Sequence, residues 1–166
     1  MIFTGKWVAV ALHRLVYYSK YNIASHGAAL GQTLKQILSS AIRSNSERGL
    51  TGGLIFNRRF FAQVLEGEHA AVMQTFARIY KDARHKDVVV VSTKSTSERL
   101  FGAWSMGFAG NTDLFDALCE EYGLTGGFDP TSMSGDDLMV FILALVTKEE
   151  RIASSSDVAG TTLAEA

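Results

Sequence analysis

Five polar side chains occupy positions where a folded chain normally places apolar ones, and their types could support chemistry. Tyr17 lies in RLVYYS. Asn45 extends an apolar helical stripe, four residues beyond Ala41 and seven beyond Leu38. Gln63 sits in FFAQVLEG, and Arg78 and Asp82 follow at a spacing of four. A phenol can give up an electron and a proton, a primary amide carries two donors and an acceptor, and an Arg–carboxylate pair fixes charge. A buried polar group left unpaired costs roughly 1–3 kcal/mol, so each of these needs a partner. Taken singly, each has an ordinary explanation. Gln63 can be met by a backbone group or a serine. A strand tyrosine packs its ring and leaves its hydroxyl at the wet end. An Asn at a helix end tolerates left-handed backbone. Arg78 and Asp82 make an i, i+4 surface pair worth a few tenths of a kcal/mol.

The elements that position these residues can be read from periodicity. From His13 onward the chain is rich in β-formers, with Leu15, Tyr17 and Ser19 on one face and Arg14, Val16 and Tyr18 on the other. Residues 28–45 carry a helical stripe of Leu30, Leu34, Ile37, Leu38, Ala41 and Ile42. GLTGGLIFNRRFFAQVLEG then reads as a hairpin, with strands at 54–56 and 60–65 and Asn57, Arg58 and Arg59 between them. Its second strand is apolar on both faces except for Gln63, which predicts a strand covered on both sides. A second helix over 68–83 has a core stripe of Val72, Phe76, Ile79 and Ala83, and a second ridge of Ala71, Thr75, Arg78 and Asp82. Residues 84–87 read as a polar loop. The β-branched run from Val88 to Thr93 reads as a central or well-covered strand. A last strand over 101–109 would put Trp104, Met106 and Phe108 on one face.

That order predicts an α+β fold: a ferredoxin-like βαββαβ core with a fifth strand and two helices on one sheet face. An amphipathic stretch over 113–122 and a helix opening at Ser134, with Asp137 at its capping-box position, form a two-helix cap for the other face. The expected division is 1–110 for the core, 111–147 for the cap and 148–166 for a small, polar, disordered tail.

Bulk properties narrow the function. A net charge of −1 with no basic run argues against nucleic acid and against a polybasic membrane anchor. One cysteine, Cys119, excludes a disulfide framework or a thiolate metal site and fits a cytoplasmic setting. No apolar run is long enough for a membrane span. The opening MIFTGKWVAVALHRLV imitates a signal peptide only weakly and is read as part of the fold or a short extension. No phosphate-binding glycine loop, dinucleotide fingerprint, zinc motif or nucleophile elbow is present, and the four histidines are scattered.

The combination of segments nevertheless closely resembles the BLUF family, blue-light sensors that use FAD. The matching stretches are RLVYYS, the helix ending at Asn45, GLTGGLIF, FFAQVLEG, RIYKDARH and FGAWSMGF, over roughly residues 13–110. The extension to about residue 147 looks like that of short, stand-alone members. The resemblance implies a flavin ring between the two helices. Asn45 would bond the polar edge of the ring, and Gln63 would bridge ring and Tyr17. Arg78 would reach a ring carbonyl with Asp82 orienting it, and Arg84 and His85 would serve the ribityl or phosphate end. Trp104 and Met106 compete for the place beside Gln63 and for the role of signal relay. FAD is the cofactor implied; FMN and riboflavin remain open as the bound form. The implied protein is a photoreceptor without enzymatic output of its own, acting through a downstream partner or a homo-oligomer. A flavin-dependent reductase and a flavin-free ferredoxin-like binding module are the competing readings. One departure stands out: many members carry a hydroxyl residue where this chain has Ala41.

Overall fold

Side-chain alternation builds the sheet. The computed structural model describes residues 11–22 and 29–162. Within them Leu12–Tyr21 (β1), Thr51–Phe56 (β2), Phe60–Glu68 (β3), His85–Thr96 (β4) and Gly107–Ala109 (β5) form one sheet in the order β4-β1-β3-β2-β5. β1–β3, β1–β4 and β2–β3 pair antiparallel, and β5 joins β2 in parallel. Two helices, Leu30–Glu47 (α1) and His69–Tyr80 (α2), make the crossovers of the expected βαββαβ core.

Register decides the faces. Leu15 lies opposite Leu65, Tyr17 opposite Gln63 and Ser19 opposite Phe61. Leu15, Tyr17, Leu54, Phe56, Phe61 and Leu65 cluster with Ile37 of α1 and Val72 of α2. The alternate residues Val16, Ile55, Phe60, Ala62 and Val64 meet the cap. Its first helix, Thr112–Glu121 (α3), contributes Phe115 and Leu118; its second, Gly135–Thr162 (α4), contributes Leu138, Phe141, Ile142 and Leu145. Coverage on both sides buries β3 from Phe60 to Gly67, as its two apolar faces predict.

The turn and cap signals act locally as their residue types require. The Asn57 side chain accepts from the N–H groups of Arg59 (3.2 Å) and Phe60 (2.7 Å), closing the hairpin with Arg58 at φ 72°. Asn111 caps α3 by accepting from Asp113 and Leu114. Ser134 accepts from the Asp137 N–H and donates to its carboxylate, which is the expected capping box.

Four local expectations change. β4 is an edge strand with Val89 and Val90 about two-fifths exposed, because β-branched residues favour extended backbone whether or not a face is covered. It starts at His85, inside the segment expected to be a loop, because pairing with β1 continues to Tyr21 opposite His85. The last strand is only Gly107–Ala109; residues before it turn, so Trp104, Met106 and Phe108 do not lie on one strand face. α4 continues past residue 148 to Thr162, where a disordered tail was expected. Residues 1–10 of the opening stretch, read as part of the fold or a short extension, lie outside the described residues.

Gly52 shows how tightly β2 meets β3. A Cβ there would sit 2.0 Å from the Val64 carbonyl oxygen. Gly52→Ala is expected to cost about 1–3 kcal/mol by overpacking, seen as a lower denaturation midpoint in urea.

Candidate functional site

The two crossover helices stand apart over β1 and β3 and leave a cleft of about 210 Å³. Its floor is Tyr17 and Gln63; Ile37, Ala41 and Asn45 line the α1 side, Thr75 and Ile79 the α2 side, and Asp82, Arg84 and His85 also contribute.

The floor pair follows from strand register. Directly opposed residues on antiparallel strands share a face, so Tyr17 and Gln63 must meet. Both are buried, and the Tyr17 hydroxyl donates to Gln63 Oε1 at 2.5 Å. Burial, reinforced by the Asp82 charge, pushes the Tyr17 phenol far above its ordinary pKa, so the hydroxyl keeps its proton. The Gln63 amide donates from Nε2 to Met106 Sδ at 3.5 Å. A thioether is a weak acceptor, so this end of the amide is held loosely.

Asn45 belongs to the body of α1, not to a left-handed cap. It is 1% exposed, and its Nδ2 donates to the Ser105 carbonyl at 2.8 Å. Asn45 and Gln63 thus grip adjacent residues of the segment that leads into β5. Met106 lies on the cleft side with Phe108, whereas Trp104 packs toward the cap, its ring 6.4 Å from Phe101. Met106 is therefore the neighbour of Gln63.

The expected Arg78–Asp82 pair does not form. α2 ends at Tyr80, and beyond it the i, i+4 geometry is lost. Arg78 instead donates to Ser44 Oγ at 3.0 Å, tying α2 to α1. Asp82 pairs with Arg84, accepting from its Nε (2.9 Å), its Nη2 and its backbone N–H (3.0 Å). Burial alone would raise the Asp82 carboxyl; the Arg84 hydrogen bonds outweigh it and hold the group below its usual range.

His85 is fixed by Ser19, whose hydroxyl lies 2.7 Å from Nδ1. Burial is the main cause that brings its pKa from 6.5 to about 4, with nearby Arg84 adding to the fall and Asp82 opposing it. The imidazole is neutral at physiological pH. Between pH 6.5 and 4 the unfolded chain binds a proton that the folded chain refuses, so stability falls with pH across that window, by about 3 kcal/mol at its lower end. The depressed Asp82 carboxyl also loses stability on acidification, but only below its ordinary 3.8. His85→Gln is expected to flatten the melting temperature between pH 6.5 and 4 and to leave the fall at lower pH in place.

Two residues important here were not singled out from the sequence. Glu66, three residues past Gln63, is completely buried and anchors the 98–101 segment. Thr75 carried a signal, its place on the polar ridge of α2, but nothing marked its hydroxyl as buried.

The donor set suits a flat heterocycle with alternating carbonyls and ring nitrogens. Two carboxamides stand near a phenol, and an Asp–Arg–His cluster supplies charge and further donors. Among the described residues there is no cluster of metal-ligating side chains and no helix long and apolar enough to cross a membrane.

Comparison with known proteins agrees with this geometry. The profile of BLUF, sensors of blue-light using FAD, matches residues 12–107. The photoactivated adenylate cyclase subunit beta of Euglena longa is 33% identical over 102 residues, which is 61% of this chain and 12% of that one. The chain spans 12% or less of the first cyclase subunits it matches. BlsA in its photo-activated state superposes with a TM-score of 0.71 at 32% identity, covering 81% of this chain and 94% of the other. BlrB, a BLUF protein in its dark state, shares the fold with a TM-score of 0.65 at 24% identity, covering 84% and 98%. With more than half of its length matched by the family profile, the chain belongs to the BLUF family, sensors of blue light that use a flavin.

Proposed function

We propose that this chain holds FAD with its ring in the α1–α2 cleft and turns blue light into a rearranged hydrogen-bond network at Tyr17 and Gln63. The observation that carries the reading is the buried Tyr17–Gln63 hydrogen bond on the cleft floor. Bound flavin supplies the light absorption and a one-electron acceptor. The chain supplies the rest. Tyr17 is the buried phenol on the cleft floor and is protonated in the dark. Its O–H becomes strongly acidic once an electron leaves the ring, and the existing bond gives the proton a path from Oη to Gln63 Oε1. Gln63 can exchange its donor and acceptor ends with little change of volume. Each net hydrogen bond is worth only about 0.5–1.5 kcal/mol, so two arrangements of the amide can lie close in free energy. Asn45 binds the polar edge of the ring, and Asp82, Arg84 and His85 serve its charged or ribityl end. Arg78 acts from the rim, where Ser44 holds it.

The output passes through Met106, not Trp104. Met106 bonds Gln63 and leads directly into β5, and Gly107 approaches Val146 of α4 so closely that a Cβ would lie 2.5 Å from it. A rearranged Gln63 alters its hold on Met106, and β5 carries the change to the cap. A downstream protein, or a second copy of the chain, reads it there; the chain itself carries no enzymatic step.

The test is an absorption spectrum of the purified, flavin-loaded protein before and after blue light. A small shift of the flavin band to the red that decays in the dark is expected. A band that illumination leaves unmoved, or steady NADH oxidation in the dark, would overturn the reading.

A further inference from the structure

We propose that the Thr75 hydroxyl makes a further hydrogen bond to the bound flavin ring, from the α2 wall of the cleft; the inference rests on the reading of this cleft as a flavin site. Thr75 is 6% exposed and lines the cleft, and its Oγ1 is buried without a hydrogen-bond partner among the described residues. A helical hydroxyl ordinarily satisfies itself on the carbonyl four residues back. Other helical hydroxyls of this chain do so: Ser39 on Lys35, Thr147 on Leu143, Ser154 on Glu150 and Ser155 on Arg151. Thr75 does not, although its helix is regular there.

Several polar groups that line the cleft are already engaged. Tyr17 donates to Gln63, the Asn45 amide to Ser105, and Ser44 accepts from Arg78. Across the cleft Ala41 has no hydroxyl to offer. Thr75 therefore lines the cleft with a buried hydroxyl whose proton and lone pairs are uncommitted among the described residues. A hydroxyl can donate to a ring carbonyl or an unprotonated ring nitrogen and can accept from a ring N–H, and an isoalloxazine edge carries all three. The cost of burying the group unpaired disappears when the ring is present.

Thr75→Val keeps the shape and removes the hydroxyl; Thr75→Ser keeps the hydroxyl. Apo protein is titrated with FAD and separately with riboflavin, and the vibrational bands of the flavin carbonyls are recorded in the dark. The valine variant is expected to bind both flavins about three- to tenfold more weakly, the span of one net hydrogen bond, with shifted carbonyl or ring bands. The serine variant should stay within about twofold of wild type. Melting of the apo valine variant close to wild type shows that the loss is not misfolding; Thr75→Ala carries the same comparison if valine is not accommodated. If wild type takes up no flavin, the reading of the cleft itself fails. If wild type binds and the valine variant binds equally with unmoved bands, or serine weakens binding as much as valine, the Thr75 contact is overturned while the cleft stands. A loss seen with FAD but not with riboflavin places the contact outside the ring and overturns it as well.

Discussion

Gln63→Leu yields a yellow protein whose flavin band does not move under blue light. Leucine nearly matches glutamine in volume and tolerates a strand, so the sheet persists. What is lost is the acceptor for the Tyr17 hydroxyl and the donor to Met106. Without Oε1 the Tyr17 proton has no path along an existing bond, and without an amide there is no second arrangement to occupy. The same change leaves a fully buried phenolic O–H unpaired, which costs roughly 1–3 kcal/mol. For a chain of this size each kcal/mol lowers the melting temperature by about 2–4 °C. Two readouts therefore move together: light-minus-dark absorption collapses to zero, and the melt shifts down by several degrees. Tyr17→Phe, lacking the O–H, gives the same fixed band. A light-induced shift of wild-type size in either variant removes the pair from the switch.

Glu66→Leu is expected to produce the largest loss of stability of any single change discussed. Glu66 is completely buried and accepts from Arg14 Nε (2.9 Å), Thr51 Oγ1 (3.2 Å) and the backbone N–H groups of Leu100 (2.9 Å) and Phe101 (3.0 Å). Removing it leaves the buried Arg14 guanidinium, among the described residues, with the Glu98 carbonyl at 3.0 Å as its hydrogen-bond acceptor, and orphans two backbone donors. Breaking a buried ion pair from one side costs about 3–5 kcal/mol, a large share of a domain's usual 5–15 kcal/mol. A fall in melting temperature of roughly 6–20 °C follows. The exposed pair Lys20–Asp87 provides the contrast. Asp87→Asn should change stability by about 1 kcal/mol or less, because solvent already screens that pair. Ser105 and Met106 follow the anchored 98–101 stretch, so amide exchange from 98 to 106 should quicken in the Glu66 variant. A melt within a few degrees of wild type would show that the cluster is not what holds this segment.

The order of the two crossover helices, the hairpin and the covered strand was legible because each leaves a periodic trace in its own residues. Gln63 stood out as one polar position in a strand apolar on both sides, and Tyr17 could be assigned its face from alternation alone. Thr75 and Glu66 were less legible. Glu66 closes the expected hairpin and Thr75 lies on the mixed ridge of α2, and nothing local tells whether such a group is solvated or buried. The strength of β4 as a strand was legible, but its exposure was not.

By itself the sequence determined which residues share a face: periods of 2 and 3.6 are properties of the local backbone, so Tyr17 stays with Leu15 and Ser19, and Gln63 with Phe61 and Leu65, wherever those strands go. Only the tertiary structure decided which partners they meet. β3 opposes β1 in one register, which sets phenol against amide. Glu66 captures Leu100 and Phe101, 34 and 35 residues away, and ends any prospect of a long last strand. With that segment turned, Met106 reaches Gln63 and Trp104 packs toward the cap. α2 stops at Tyr80, and Asp82 pairs with Arg84 in place of Arg78. These outcomes depend on hydrogen bonds between distant segments and on where a helix ends, and neither leaves a periodic trace in the chain.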